Sequence, residues 1–86
     1  MLIAKIYVKL KRDVSDPQGF AVKGALESLG FKGADRVHVG KYFVIELADM
    51  SRDAADVMVR QMCDKLLTNP VIEDYTFTVE QNGGEA

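Results

Sequence analysis

The chain has 86 residues, of which 48% are hydrophobic and 28% charged, and its formal net charge is −2. A chain of this length forms one small core and leaves no room for a large enclosed active-site cleft. Its apolar content excludes a disordered segment, and its slight acidity gives no basic footprint for nucleic acid or anionic lipid. One cysteine and one histidine exclude an internal disulfide and a His/Cys metal cluster.

The length predicts a single domain, and the single cysteine fits a reducing cytoplasm. No continuous apolar run exceeds four residues, so neither a signal peptide nor a membrane span is expected. We expect one domain over residues 1–80 and a flexible tail over residues 81–86. Residues 1–41 carry 8 basic and 4 acidic side chains, and residues 42–86 carry 3 and 9. This polarity fits either a charged face for a partner or two halves that lie side by side in the fold.

Two segments alternate between apolar and polar side chains, as half-buried strands do. The first covers residues 2–11 and the second covers residues 34–47. A hairpin turn in the middle of the second segment would place Asp35 opposite Glu46 on the buried face. We therefore predict one long second strand with a bend or bulge at Gly40.

A first helix is predicted over residues 17–29. Asp16 can accept hydrogen bonds from the free amides at its start, and Gly30 supplies a left-handed stop at its end. Gly19 and Gly24 weaken the helix and indicate either close approach of another backbone or a short helix tolerated by packing. The apolar stripe at helical spacing consists of Val22, Ala25, Leu26 and Leu29.

A second helix and a third strand follow. Either Ser51 or Asp49 caps the helix, which ends at Thr68 and Asn69 before Pro70. The stripe of this helix consists of Ala55, Met58, Val59, Met62, Cys63 and Leu66. Residues 71–80 alternate again and predict the third strand.

The predicted fold class is α+β with the order β-α-β-α-β, a three-stranded, mainly antiparallel sheet with two helices on one face, similar to ferredoxin-like folds. The opposite sheet face remains open and is apolar at Tyr7, Tyr42 and Val44. Three strands also leave two unpaired edges. We therefore expect self-association through the sheet edges and this face, as a symmetric dimer or a pair of dimers that extends the sheet.

The sequence offers few groups for chemistry. Cys63 falls on the apolar stripe of a helix, which favours a buried structural thiol over a reactive one. His38 points away from the core face, where it could contact a partner or remain an inert exposed imidazole. Glu73 and Asp74 are adjacent on a strand and point to opposite faces, so they cannot act together on one bond. Catalytic, cofactor-binding and metal-binding residues are therefore not predicted.

Three stretches, read together, resemble one known family. They are Asp16-Pro17-Gln18-Gly19, Val39-Gly40-Lys41-Tyr42, and the run from Met62 to Tyr75 that contains Leu67-Thr68-Asn69-Pro70. They resemble PurS, the small subunit of bacterial and archaeal phosphoribosylformylglycinamidine (FGAM) synthase, over residues 3 to about 80. The family commonly has arginine where this chain has His38, and a histidine there would make a shorter, pH-dependent contact.

The resemblance implies a non-catalytic subunit of a glutamine-dependent C–N ligase in purine biosynthesis. Such a subunit, a homodimer or tetramer, bridges the ATP- and Mg-binding synthetase (PurL) and the glutaminase (PurQ), assists ammonia transfer, and itself binds no cofactor, nucleic acid or membrane. The alternative is a free-standing ferredoxin-like dimer that senses a ligand. The implied partner-interface residues are Asp16, Pro17, Gln18, Gly19, His38, Gly40, Lys41, Asn69 and Pro70.

Overall fold

The computed structural model describes residues 1–81. The strands are β1 (Leu2–Leu10), β2 (Gly40–Leu47) and β3 (Glu73–Gln81), and the helices are α1 (Pro17–Ser28) and α2 (Arg52–Met62), the latter extended by a π-helical turn, Cys63–Leu67. This order and the antiparallel three-stranded sheet confirm the predicted fold class. The expected placement of both helices on one face of the sheet is wrong for α1, which, within the described residues, contributes nothing to the core that the sheet forms with α2.

β1 is the central strand of the sheet. β2 and β3 both pair with it in antiparallel orientation, so the strand order is β2-β1-β3. The alternation predicted for β1 is confirmed, because its core-facing side chains are almost completely buried. These core residues are Leu2, Ala4, Ile6 and Val8.

α2 packs its apolar stripe on one face of this sheet. Its hydroxyl cap is Ser51, whose Oγ accepts a hydrogen bond from the Ala54 N–H at 3.1 Å. Ser51 rather than Asp49 is therefore the cap. The buried residues of α2 and of the turn that follows are Ala55, Val59 and Cys63.

The π-helical turn corrects one predicted core position. The backbone N–H of Thr68 donates to the Cys63 carbonyl oxygen at 3.0 Å, five residues back instead of four. This wider turn shifts the face presented by the residues within it. Leu67 packs against the core, whereas Leu66, which the α-helical period places on the stripe, is 82% exposed.

Residues 16–39, here called the arm, lie outside the hydrophobic core. The predicted first helix and its stop are confirmed: Gly30 has a φ of +93°. The N–H of Gly30 donates to Glu27 and the N–H of Phe31 to Leu26, both at 3.0 Å. These two bonds satisfy carbonyl groups that the helix end leaves free.

Within the described chain, the apolar stripe of α1 is not covered. Val22 is 42% exposed and Leu29 is 74% exposed, and Phe20, on the other side of the helix, is 71% exposed. The core cluster is formed by the strands, α2 and neighbouring residues, without a contribution from α1. The stripe predicted on this helix therefore exists as a pattern but faces outward.

β2 is shorter than the predicted second strand. It begins at Gly40 instead of residue 34, because β1 is nearly at its end where Lys9 pairs with Gly40. Residues 34–39 therefore have no neighbouring strand within the described chain. A Cβ at Gly40 would overlap the carbonyl oxygen of Val8, so the predicted bend coincides with a close backbone contact that requires glycine.

β3 begins at Glu73, two residues after the predicted start. The delay is caused by Asn69, whose Oδ1 accepts from the Val71 N–H at 3.1 Å. Its carbonyl oxygen also accepts from the N–H groups of Ile72 and Glu73. These bonds form the turn that separates the helix from the strand.

The molecule is elongated. Its radius of gyration is 16.4 Å and its principal extents are 48 × 31 × 15 Å, whereas a compact chain of this length has a radius of gyration of about 12 Å. The arm therefore stands away from the sheet. The tail predicted over residues 81–86 lies outside the described residues, except for Gln81, which is the last residue of β3.

Candidate interaction interface

Asp16 joins the start of α1 to the segment that leads into β2. Its Oδ1 accepts from the Gly19 N–H at 2.9 Å, and its Oδ2 accepts from the Val39 N–H at 3.0 Å. The bond from Val39, followed by the bond from Gly19, holds the pKa of Asp16 below its ordinary value, and the nearby His38 acts in the same direction. Asp16 thus serves as both helix cap and tether.

Gly19 is required by the same junction. A Cβ at this position would overlap the carbonyl oxygen of Val37. Close approach of another backbone, one of the two explanations that the sequence left open, is therefore confirmed at Gly19. At Gly24 no other part of the described chain lies within 4 Å of the place that a Cβ would occupy, and that glycine has no such role inside the described chain.

Lys41 and Asn69 meet at one carboxylate. The Nζ of Lys41 lies 3.4 Å from Oε2 of Glu73 and 3.4 Å from the carbonyl oxygen of Leu67. The N–H of Asn69 donates to Oε1 of Glu73 at 2.7 Å. The Asn69 bond, with the lysine as a further cause, lowers the pKa of Glu73. Lys41 therefore reaches an acidic group, as its position on an apolar strand face predicts.

Gln18 and His38 are both exposed. His38 lies on the wall of an open cleft of about 540 Å³ between the start of α1 and residues 35–38. Other residues of this cleft are Val14, Phe20, Lys23, Asp35 and Arg36. Most of the motif residues are thus occupied by contacts within the chain, whereas these two face outward.

The face opposite α2 brings together the residues predicted for self-association. The rings of Tyr7 and Tyr42 stack with their centroids 4.8 Å apart. Both rings are about half exposed, and Val44 on the same face is 38% exposed. Beside them, Nζ of Lys5 lies 3.3 Å from Glu80, which raises the pKa of the lysine. These side chains form one exposed patch with an aromatic centre.

The hydrogen-bond register identifies the free backbone groups of β2. The N–H of Lys11 donates to the Ile72 carbonyl at 2.7 Å, in line with the β1–β3 ladder. In an antiparallel ladder, successive residues bond to alternate sides. Odd-numbered residues of β1 therefore bond to β3, and even-numbered residues bond to β2. On β2, the outward backbone groups belong to Gly40, Tyr42, Val44 and Glu46.

The thiol and possible metal ligands give no reactive cluster in the part of the chain that the structure describes. Cys63 is fully buried, and this burial raises the pKa of its thiol. Residues 1–81 contain no group of three His, Cys, Asp or Glu side chains placed to hold a metal ion. Across the same residues, none of the helices has the length and apolar character needed to cross a membrane.

The sequence did not single out Arg52, which contacts the outer edge of the sheet. Its Nη1 donates to the Val79 carbonyl at 2.8 Å. One signal was available: Arg52 lies in the first turn of α2, where a cation opposes the helix dipole. An unfavourable position of this kind indicates a partner elsewhere in the fold. The exposure of Phe20 had no corresponding signal, because periodicity does not show which face is covered.

Comparison with known proteins gives a consistent set of similar chains. The model of the family described as PurS, phosphoribosylformylglycinamidine (FGAM) synthase, matches residues 3–81. The phosphoribosylformylglycinamidine synthase subunit PurS of Bacillus subtilis is 47% identical over 81 residues, spanning 94% of this chain and 95% of that protein. A structure of B. subtilis PurS has a TM-score of 0.85 and covers 94% of this chain and 100% of that one.

Two further structures extend the comparison. The crystal structure of PurS from Methanocaldococcus jannaschii, described as a subunit of formylglycinamide ribonucleotide amidotransferase, has a TM-score of 0.85 at 36% identity and covers 95% of this chain and 99% of that one. A chain of the structure described as PurLQS from Thermotoga maritima has a TM-score of 0.80 at 27% identity and covers 92% and 98%.

Proposed function

This chain belongs to the PurS family of FGAM synthase subunits, and on that premise we propose that it acts as a non-catalytic adaptor, which holds a glutaminase and an ATP-dependent synthetase together and assists ammonia transfer between them. The T. maritima structure described as PurLQS suggests PurL and PurQ as the partners. ATP and Mg²⁺ then belong to the synthetase partner. The proposed location is the cytoplasm, since the single cysteine is buried and unpaired.

The observation that carries this proposal is the contrast between a packed sheet and an uncovered arm. Phe20, Leu29 and Phe31 are each at least 60% exposed, although they belong to one short stretch of chain. Large apolar side chains left exposed at several positions of one segment favour an interaction there over permanent contact with water. An adaptor needs such surfaces, because its role is to fix the relative positions of other chains.

We propose that a second copy of this chain covers the arm. Residues 34–39 lead directly into the free edge strand β2. Within the described chain they pair with no other strand. Asp16 and Gly19 fasten α1 directly against Val37 and Val39. A strand that pairs with this edge therefore lies next to α1, so one copy can satisfy the free backbone groups and bury the apolar side of the helix.

The partner subunits are then left with the surfaces that point away from this pairing. We propose that Gln18 and His38 contact a partner directly. Asp16, Gly19, Gly40, Lys41 and Asn69 support that contact by fixing the backbone. The patch formed by Tyr7, Tyr42 and Val44 is proposed as a further self-association surface, through which dimers can form a tetramer.

Reconstitution tests the adaptor proposal. PurL and PurQ are mixed with or without this chain, and FGAM synthesis is measured with glutamine or with ammonia as the nitrogen source. Glutamine-supported synthesis should require this chain, whereas ammonia-supported synthesis should depend on it much less. Equal glutamine-supported turnover in both mixtures would refute the proposal.

A matched pair of leucines links this activity to the arm. Leu29, in the arm, is 74% exposed, and Leu66, in the π-helical turn after α2, is 82% exposed. Leu29→Glu should weaken self-association and glutamine-supported synthesis, and Leu66→Glu should leave both close to wild type. Equal losses in the two variants would show that the arm is not the interface.

The cleft beside His38 favours one alternative function, that of a ligand-sensing dimer. Its volume of about 540 Å³ is within the range of small-molecule sites, as a ligand-sensing dimer requires. Titration calorimetry of the isolated chain against amino acids and nucleotides distinguishes the two functions. Tight binding of one metabolite, without any protein partner, would favour the sensor.

A further inference from the structure

The two free edges of the sheet differ in one respect: an arginine binds one outward carbonyl group of β3. Nη1 of Arg52 donates to the Val79 carbonyl oxygen at 2.8 Å in a partly buried hydrogen bond. Arg52 is the first residue of α2, so the helix that packs on the sheet also extends a side chain around its edge.

The register shows that this carbonyl faces outward. Lys11 and Ile72 form a hydrogen-bonded pair of the β1–β3 ladder. Counting back along that ladder, Val79 lies opposite Ala4 in a pair that does not exchange hydrogen bonds. The N–H and C=O groups of Val79 therefore point away from β1, toward the position that an added strand would occupy.

A second arginine of α2 follows the same strand. The guanidinium carbon of Arg60 lies 5.3 Å from the centroid of the Phe77 ring. By contrast, the described residues place no side-chain donor on the outward carbonyl groups of β2, from Gly40 to Glu46. Charged side chains placed along a sheet edge hinder pairing with another strand. β2 has a comparable cation, because Nζ of Lys41 lies 6.0 Å from the centroid of the Phe43 ring. The two edges therefore differ in the hydrogen bond that Arg52 donates to an outward carbonyl group.

We propose that Arg52 closes the edge of β3 to strand addition, so that this chain associates through the edge of β2 alone. The proposal rests on the self-association argued above and adds its direction. A strand approaching β3 must displace a charge-assisted hydrogen bond, which is stronger than a bond between neutral groups. Two open edges would instead allow copies to add without limit.

The experiment compares Arg52→Ala with wild type by sedimentation velocity over a range of protein concentrations. Arg12→Ala, at an exposed arginine outside the sheet, is the matched control. Wild type and the control should reach the same limiting size. Arg52→Ala should form larger species, at protein concentrations about tenfold lower than any that appear in wild type. An identical size distribution in all three proteins would overturn the proposal.

A peptide probe examines the edge itself. The labelled peptide copies residues 2–10, which pair with the inner sides of both β2 and β3, and binding is followed by fluorescence anisotropy. The open edge of β2 offers one site in all three proteins. Arg52→Ala should gain a second site at β3, with an affinity about tenfold higher than that edge has in wild type or Arg12→Ala. The same number of bound peptides at the same affinity in all three proteins would also overturn the proposal. If Arg52→Ala does not fold, Arg52→Gln replaces it in both assays, with the same expected results.

These outcomes are distinguishable from failure of the adaptor function. A wild-type chain that is solitary at all concentrations refutes the proposed self-association, while the peptide assay still decides the role of Arg52. Conversely, normal reconstitution with unchanged assembly of Arg52→Ala would refute this inference and leave the adaptor function intact.

Discussion

Two regions of the molecule differ in how far they bury their hydrophobic side chains. One region is the sheet together with α2, and the other is the arm. In the sheet, Ile6 and Val59 are fully buried. In the arm, Phe20 and Leu29 keep more than two thirds of their surface exposed. The first region obtains its packing from its own chain, and the second does not. This difference indicates that the arm is built for an assembly, whereas the sheet is built to fold.

The connection between the two regions is small and polar. Asp16 accepts one hydrogen bond from Gly19 and one from Val39, and Val37 lies against Gly19. These contacts fix α1 to residues 37–39 but not to the hydrophobic core. The arm is therefore held in shape at its base while its apolar side remains available.

The largest expected effect compares one apolar residue from each region. Ile6→Ala should lower the free energy of unfolding by about 2–5 kcal/mol, because it leaves a cavity in the core. Leu29→Ala should change it by no more than about 0.5 kcal/mol at low protein concentration. Denaturant unfolding at several protein concentrations measures both. A loss for Leu29→Ala that equals the loss for Ile6→Ala at every concentration would mean that the arm packs within its own chain.

Two glycines of α1 test the base of the arm. Gly19→Ala should destabilise the chain by about 1–3 kcal/mol, since its Cβ would overlap the Val37 carbonyl. Gly24→Ala is the matched control in the same helix and should stabilise it by about 0.5–1 kcal/mol. Thermal and denaturant unfolding measure the two changes. A destabilising effect of Gly24→Ala that grows with protein concentration would place another copy against this glycine.

The sequence predicted those parts of the fold that depend on local pattern. The alternation of β1, the Asp16 cap and the Gly30 stop are all confirmed. The predicted start of β2 at residue 34 was wrong. Residues 34–39 have a strand pattern, but β1, their only neighbour in the described sheet, ends before it can pair with them. The position of Leu66 was wrong because a π-helical turn changes the period. Periodicity also cannot say whether the stripe on α1 is covered, since that depends on which chain lies above it.

For the candidate site too, the sequence predicted which residues are notable but not which residues they contact. The motif identified Gly19 and Lys41 as notable positions, but their close contacts with Val37 and Glu73 needed coordinates. Each pair is far apart in the sequence and meets only after the chain has folded back. The unfavourable place of Arg52 in the first turn of α2 indicates that it has a partner, but the partner is a backbone carbonyl, which the sequence does not identify.

Asp16 makes the junction sensitive to acid. Its pKa is lowered in the folded chain, mainly by the N–H groups of Val39 and Gly19. The stabilising contribution is therefore complete above its unfolded pKa near 3.8 and is lost as the pH falls through the lower folded value. Asp16→Asn should show a flatter loss of stability below pH 3.8 than wild type, together with faster hydrogen exchange at the Val39 amide.

The control for this measurement is Asp13→Asn, an exposed carboxylate in the same loop. Asp49 and Glu73 also have lowered pKa values, and both remain in every variant, so the difference between the acid curves isolates Asp16. A curve for Asp16→Asn that follows wild type throughout, with unchanged exchange at Val39, would show that the tether contributes nothing to the arm.

The smallest expected effect concerns Lys41, which the sequence motif placed among the partner contacts. Its Nζ is shared between Glu73 and the Leu67 carbonyl, and its side chain is about half exposed. A surface ion pair of this kind contributes less than about 1 kcal/mol. Lys41→Met should therefore cost little stability and leave glutamine-supported synthesis near wild type, as should the control Lys65→Met. If Lys41→Met instead abolished that synthesis while its unfolding curve matched wild type, the lysine would have to leave Glu73 on assembly and bind a partner. The sheet would then contribute to the interface as directly as the arm.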